Sequence, residues 1–347
     1  MQLTSRIYGI TEQGQTVTRY VMENRNGVRI AFLDYGCILT ELWVPDREGK
    51  PTDILLGFDD LASYEKSRDA YFGAFIGRYA SRIRGSEFTL HGSRYELPAN
   101  EGPNHRHGTW SHRVFEGSVC GGGVRLTYHS PDGEEGYPGA VDVSVTYALD
   151  DNNVFSVKYE AVSDADTIIN LTNHSYFNLA GHQSGKIDEH LLQLNAESFL
   201  ETADDFCPTG QILPVDHTPM DFRRMHRIGR GFPISCEQME LVSGYDHCYV
   251  LKENTAPAAL VYAPQTGIAM QVATTQPGIL FYSGNFLGDG TPVGKSGAHY
   301  ESRDGFCLET QHYPCAPEFP EFPTTVLKRG ELFEQTTLFQ FQTIDKI

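Results

Sequence analysis

The sequence predicts an all-β protein, a large antiparallel β-sandwich, and three observations carry the prediction. Apolar residues recur at every second position along many short stretches, which gives a strand one buried and one solvated face. Helical periodicity is nearly absent. The 34 Gly and 18 Pro residues are scattered between the alternating stretches as turn punctuation and form no linker. No repeat, composition break or charge block marks a boundary, so residues 1–347 read as one domain despite a length that would admit two.

The alternation begins at Val28, Ile30 and Phe32, set against Arg29 and Ala31. Asp60-Leu61-Ala62-Ser63-Tyr64-Glu65 is the one candidate for helical turns, starting from an aspartate cap. The clearest strand carries Val141, Val143, Val145, Tyr147 and Leu149 against Asp142, Ser144 and Thr146. Asp150-Asp151-Asn152-Asn153 follows as a turn, then Phe155, Val157, Tyr159 and Ala161 alternate with Ser156, Lys158 and Glu160. Two half-buried strands joined by an Asp/Asn turn make a hairpin. Phe339 and Phe341 alternate with Gln340 and Gln342 in the same way.

Composition excludes several classes. Hydrophobic residues make up 40% and charged residues 21%, the balance of a folded chain. Lys and Arg total 27 against 45 Asp and Glu, a net charge of −18, which repels phosphate backbones and anionic lipid and argues against nucleic-acid or membrane partners. No apolar run approaches the ~18 residues needed to cross a bilayer. The opening Met1-Gln2-Leu3-Thr4-Ser5-Arg6 has no basic head and apolar core, so a soluble, cytoplasmic protein is expected. The seven cysteines are odd in number, widely spaced and free of any Cys-x-x-Cys, as reduced, mostly buried thiols would be. Asn170-Leu171-Thr172 and Asn173-His174-Ser175 fit the glycosylation triplet, which carries no meaning without a secretory route.

Two motifs come close to known chemistry and fall short. Gly288-Asp289-Gly290-Thr291-Pro292-Val293-Gly294-Lys295-Ser296 nearly spells a phosphate-binding loop, but Asp289 stands where the first glycine belongs and no helical pattern follows, so a surface loop is expected. His105-Arg106-His107 would place two imidazoles on one side of an extended strand, and Glu116 lies downstream, but no supporting ligand context follows and no metal is expected. Alternation would then turn Arg106 to the opposite, solvated face.

Two segments place polar chemistry inside apolar surroundings. Asn170-Leu171-Thr172-Asn173-His174-Ser175-Tyr176-Phe177-Asn178-Leu179 interleaves hydrogen-bonding side chains with Leu and aromatics. Burying so many polar groups is costly unless they satisfy one another or a polar ligand. Phe306-Cys307-Leu308-Glu309-Thr310-Gln311 sets a carboxylate in an apolar strand. Facing inward, Glu309 would have its pKa raised toward that of a general base; facing outward it would be an ordinary surface charge.

The first of these segments resembles the active-site signature of the aldose 1-epimerases. Further blocks resemble the same family in the same order: Tyr71-Phe72-Gly73-Ala74-Phe75-Ile76-Gly77-Arg78, Arg82-Ile83, Pro103-Asn104 with His107-Gly108, and Ser130 through Gly139. Gly244-Tyr245-Asp246-His247, Thr274 through Gly278, Phe281 through Phe286 and Cys307-Leu308-Glu309-Thr310 continue the likeness toward the C-terminus. The resemblance implies the galactose mutarotase type of β-sandwich, no metal or organic cofactor, and a free aldose such as galactose or glucose as substrate. It implies Glu309 as general base, His174 as general acid and His107 as a second essential histidine. It implies Arg82 and Asp246 as ligands of sugar hydroxyls, with Tyr176 on the face of His174. Four positions depart from the family's usual residues: Arg106 and Thr109 around the first histidine, Ser81 before Arg82, and Leu280 before Phe281-Tyr282. Ser81 still falls at a substrate-binding position, and the departures leave the exact sugar open. A hexose 6-phosphate or uronate epimerase of the same fold and a non-catalytic sugar-binding module are the alternatives. Monomer and homodimer both remain open.

Overall fold

The structure, a computed structural model, describes residues 2–252, 257–288 and 290–345. Strands dominate, with two short helices among the described residues. Every ladder between named strands is antiparallel, and the described strands fall into three larger sheets and four two-stranded pairs.

The first sheet is a five-stranded meander from Gln2–Ile10 to Pro51–Asp53. A nine-stranded sheet runs in the order Glu116–Cys120, Gly123–Ser130, Val141–Leu149, Val154–Ser163, Leu332–Thr343, Ile268–Thr274, Ala259–Tyr262, Leu191–Leu194 and His226–Arg227. The expected hairpin lies within it, with Val145 opposite Tyr159 and Tyr147 opposite Val157. The same inward face of that hairpin buries Val145, Tyr147, Val157 and Tyr159 almost completely. Each such side chain contributes roughly 1.5–3 kcal/mol by leaving water. Phe32 of the first sheet meets Tyr147 edge-on at 4.9 Å, so the meander and the large sheet share one core, and Phe75 of the short strand Ala74–Ile76 stacks on Tyr159 at 5.4 Å within it.

The third sheet carries Pro208–Pro214, Ala196–Thr202, Asp246–Leu251, Gly278–Tyr282 and Cys307–Gln311 in that order. Its register pairs Asp246 with Tyr282, Cys248 with Leu280, Leu280 with Glu309 and Tyr282 with Cys307. Residues opposite one another in a ladder point to the same face, as do residues two apart along a strand. One face of this sheet therefore presents Asp246, Cys248, Leu280, Tyr282, Cys307 and Glu309 together.

The helix Leu61–Lys66 forms where expected, and the Asp60 carboxylate accepts the Ser63 N–H at 2.8 Å. All seven cysteines are free thiols, five of them buried. The near-phosphate loop needs a correction. Asp289 lies outside the described residues, but Lys295 is 5% exposed and its Nζ donates to the Thr40 carbonyl at 2.8 Å while pairing with Asp53. An inward ion pair, not a surface loop, occupies that lysine.

Candidate functional site

The inward face of the third sheet meets two short pairs that bring chain from far away. Ala74–Ile76 pairs with Thr172–His174, setting Ala74 opposite His174, and Arg82–Ile83 pairs with His105–Arg106. Between them opens a cleft of about 530 Å³ whose lining includes His107, His174, Tyr176, Arg82, Asp246 and Glu309. Every predicted site residue, Ser81 included, lies on this cleft.

At its floor His174 Nε2 stands 3.7 Å from Glu309 Oε1, just beyond a hydrogen bond. The carboxylate is 2% exposed, and its Oε2 has no partner. Burial pushes Glu309 well above the usual carboxylate range, the nearby Asp246 adds to the rise, and Arg82 and Arg106 oppose it. Burial pushes His174 the other way, to about 3, with Arg106 adding to the drop. Both groups are thus driven toward their neutral forms. His174 Nδ1 touches the Cys307 thiol at 3.5 Å.

His107 has a left-handed backbone, φ 63°, and so does Ser81, φ 62°. The two lock together, the His107 N–H donating to the Ser81 carbonyl at 2.9 Å and the Ser81 N–H donating to His107 Nδ1 at 3.1 Å. Because Nδ1 accepts, a neutral His107 carries its proton on Nε2. Burial holds the ring neutral, its pKa well below the ordinary value, with the Arg106 charge adding to the effect. The His107 and His174 rings lie edge-on with centroids 5.4 Å apart.

The left-handed turn at His107 ends the alternation on which the placement of Arg106 rested. His105 is fully buried with Nδ1 against the Pro98 carbonyl at 2.8 Å, whereas Arg106 lines the cleft. The expected solvated face for Arg106 is therefore wrong. Its Nη1 pairs with Glu101 at 3.0 Å, its Nη2 donates to the Asp69 carbonyl at 3.3 Å, and its guanidinium lies 5.3 Å from the centre of the Tyr71 ring. Glu101 also takes Arg82 in a two-pronged pair, so one carboxylate holds two arginines.

Glu101 escaped sequence reasoning, since Asn100-Glu101-Gly102-Pro103 reads only as a turn. Phe206 and Phe286, 6.3 Å apart at the rim, also gave no local signal. The departure at Thr109 is not a cleft feature, because its N–H and hydroxyl donate to Glu135 at 3.0 and 2.9 Å. Leu280, in contrast, faces the cleft beside Glu309.

The polar run from Asn170 to Leu179 divides by role. Asn173 donates to the Gly73 carbonyl at 2.9 Å, Asn178 to Gly185 and Asp304 at 2.7 and 2.9 Å, and Asn170 bridges Ala80 and His312. These amides bolt the backbone. His174 and Tyr176, with ring centroids 5.0 Å apart, face the cleft.

The sequence model of a family described as aldose 1-epimerase matches residues 18–340. The galactose mutarotase of Sus scrofa is 41% identical over 352 residues, covering 98% of this chain and 99% of that protein. The galactose mutarotase of Homo sapiens is 39% identical over 350 residues, covering 98% of each. The aldose 1-epimerase of Escherichia coli (strain K12) is 33% identical over 341 residues, covering 96% and 97%. Among solved structures, the galactose 1-epimerase from Lactobacillus acidophilus NCFM superposes with a TM-score of 0.86 at 29% identity, covering 99% of each chain. The aldose epimerase homologue from C. elegans gives 0.86 at 30% identity, covering 93% of this chain and 98% of that one.

Proposed function

Since this chain belongs to the aldose 1-epimerase family, we propose that it is a mutarotase interconverting the α and β anomers of a free aldose such as galactose or glucose. The observation that carries the reading is the facing pair His174 and Glu309, 3.7 Å apart on the floor of an open cleft and with pKa values pushed in opposite directions by burial.

The reaction needs one proton taken from the C1 hydroxyl and one given to the ring oxygen. In the neutral pair the shared proton rests on Glu309. Its passage to His174 leaves the carboxylate and imidazolium that the step uses. Glu309 then takes the C1 hydroxyl proton while His174 supplies its own to the ring oxygen, the C1–ring oxygen bond breaks, and the aldehyde turns about C1–C2. Ring closure on the other face runs the transfers in reverse. The pair begins and ends with the same number of protons, so the proton transfers close on these two side chains. Each group contributes on the order of 10²–10⁴-fold. A neutral His107, with its proton on Nε2, donates to a sugar oxygen and adds no charge to compete with the acid. Arg82 and Asp246 bind paired hydroxyls, while Tyr176 covers an apolar ring face. Ser81 acts through its backbone, by fixing the orientation of His107.

The Arg106 placement raises a uronate or hexose 6-phosphate as a second reading. Its guanidinium is already engaged by Glu101 and the Asp69 carbonyl, which favours the neutral sugar. A non-catalytic sugar-binding module would not need the tuned pair. We further propose that residues 1–347 act as one unit in the cytoplasm, as monomer or homodimer, without nucleic-acid or membrane partners. The core joining all three larger sheets and the −18 net charge support that reading, and no helix among the described residues is long and apolar enough to cross a membrane. Polarimetry of fresh α-anomers of galactose, glucose, galacturonate and glucose 6-phosphate tests it. Sugar binding with no acceleration of anomerisation would leave only the binding module.

A further inference from the structure

We propose that the floor of the cleft is also an inhibitory site for a borderline-soft divalent cation of the zinc type, held by His174, Cys307 and Glu309. Its competition with sugar rests on the function proposed above; the binding itself does not.

Among the described residues, these three form the one group of His, Cys and carboxylate side chains whose donor atoms converge, all within 4.8 Å of one another. The thiol sulfur is 3.5 Å from His174 Nδ1, and Glu309 Oε1 is 3.7 Å from Nε2. Tetrahedral zinc, with bonds of about 2.0–2.3 Å, sets its donors roughly 3.3–3.6 Å apart. The imidazole supplies one nitrogen only. Whichever it uses, one edge of the tetrahedron is near its final length, and the remaining separations, at most 4.8 Å among the converging donors, have to shorten by about 1 Å on binding. The cleft supplies water as the fourth ligand.

Further features fit a cation here. The Glu309 Oε2 atom is buried and unpartnered, a costly state that a metal bond relieves. A thiolate and a carboxylate together neutralise a dication, so the loaded site is uncharged and its burial carries little solvation penalty. A Cys/His donor set selects zinc or cobalt over magnesium or calcium, which prefer all-oxygen sites. The strand supplies the pair directly, because Cys307 and Glu309 are two residues apart and share a face. Arg82 and Arg106, the cations nearest the floor, are both held by Glu101.

Occupation ties up the imidazole and the carboxylate together, so zinc blocks anomerisation and sugar protects against it. The test titrates the purified full-length chain with Co²⁺ and follows the thiolate-to-cobalt charge-transfer absorption, then displaces it with Zn²⁺. Zinc inhibition of mutarotation is measured in parallel for wild type and for Cys307→Ser, each relative to its own metal-free rate. The wild type should give the cobalt band, lose it to zinc, and show zinc inhibition relieved by excess galactose; Mg²⁺ should do neither. Cys307→Ser should lose the band and need at least roughly 100-fold more zinc for the same inhibition. Cys307→Ala serves if the serine variant does not fold. A band that survives in a folded Cys307 variant, or zinc inhibition of equal strength there, overturns the proposal. A wild-type band without any mutarotation upholds the metal site and rejects the proposed function, whereas mutarotation with no band does the opposite.

Discussion

Replacing Glu309 by Gln should separate activity from stability in opposite directions. The amide keeps the volume and shape of the carboxyl, so the packing around a side chain that is 2% exposed is retained and no cavity opens. It cannot accept the C1 proton, and general-base catalysis accounts for about 10²–10⁴-fold, or roughly 2.7–5.4 kcal/mol of barrier. The turnover rate should therefore fall by at least about 100-fold. Stability should not fall with it. Burial and Asp246 raise the folded-state pKa of Glu309 above its unfolded value. The folded state then favours the protonated form, and the contribution of this group is lost as pH rises from the unfolded pKa through the folded one. An uncharged amide removes that pH-dependent loss, so at neutral pH and above the melting temperature should match or exceed wild type. Polarimetry at several sugar concentrations gives the rate, and calorimetry at two pH values gives the stability. A rate within a few-fold of wild type would remove Glu309 from the reaction. A melting temperature several degrees lower would mean that the carboxylate is structurally paired, contrary to its unpartnered oxygen.

His174→Asn should lower the turnover rate comparably, and the double variant with Glu309→Gln should lose much less than the product of the two single losses, because both groups act in one step. Arg106→Leu takes away a cation that lowers the Glu309 pKa, so the acid limb of the kcat/KM profile should move to higher pH; a limb that stays in place would show that this charge does not reach the base. Lys295→Met strands Asp53 in a buried setting and should cost about 3–5 kcal/mol in denaturant unfolding, with much of it recovered when Asp53→Asn is added. Exhaustive chelation should leave mutarotation at or above its starting rate. A loss restored by a divalent ion would put a metal into the reaction.

The strands were legible because period-two burial is a local rule: Val141 through Ala161 declare their inward face residue by residue, and the hairpin follows. His174 and Glu309 stood out as polar groups set in apolar strands, but spacing alone left Glu309 open between an inward and an outward face, and only the family resemblance gave the two their expected roles. Arg106 was misplaced because the same rule was carried one residue too far. The backbone at His107 enters the left-handed region, held there by its lock with Ser81, and alternation stops at Arg106. Glu101 was missed because its importance comes from what reaches it, two arginines arriving from the paired segments Arg82–Ile83 and His105–Arg106. Lys295 misled in the opposite way, since a lysine among glycines looks solvated until Asp53, far off in sequence, supplies the partner that lets it turn inward.

The strand Leu332–Thr343 occupies the middle of the nine-stranded sheet, between Val154–Ser163 and Ile268–Thr274. During synthesis both neighbours leave the ribosome well before it does, and until it arrives each presents an open row of unpaired N–H and C=O groups. Two edges, one carrying Val154, Val157, Tyr159 and Val162 and the other Ile268, Met270 and Val272, then wait for one late strand, a state open to pairing with other nascent chains. The step that completes this sheet is therefore an insertion that zips two half-sheets together, and chaperone demand should be greatest just before residues 332–343 emerge. A nascent chain stalled short of that strand should partition to chaperones or aggregates, and one released just beyond it should not.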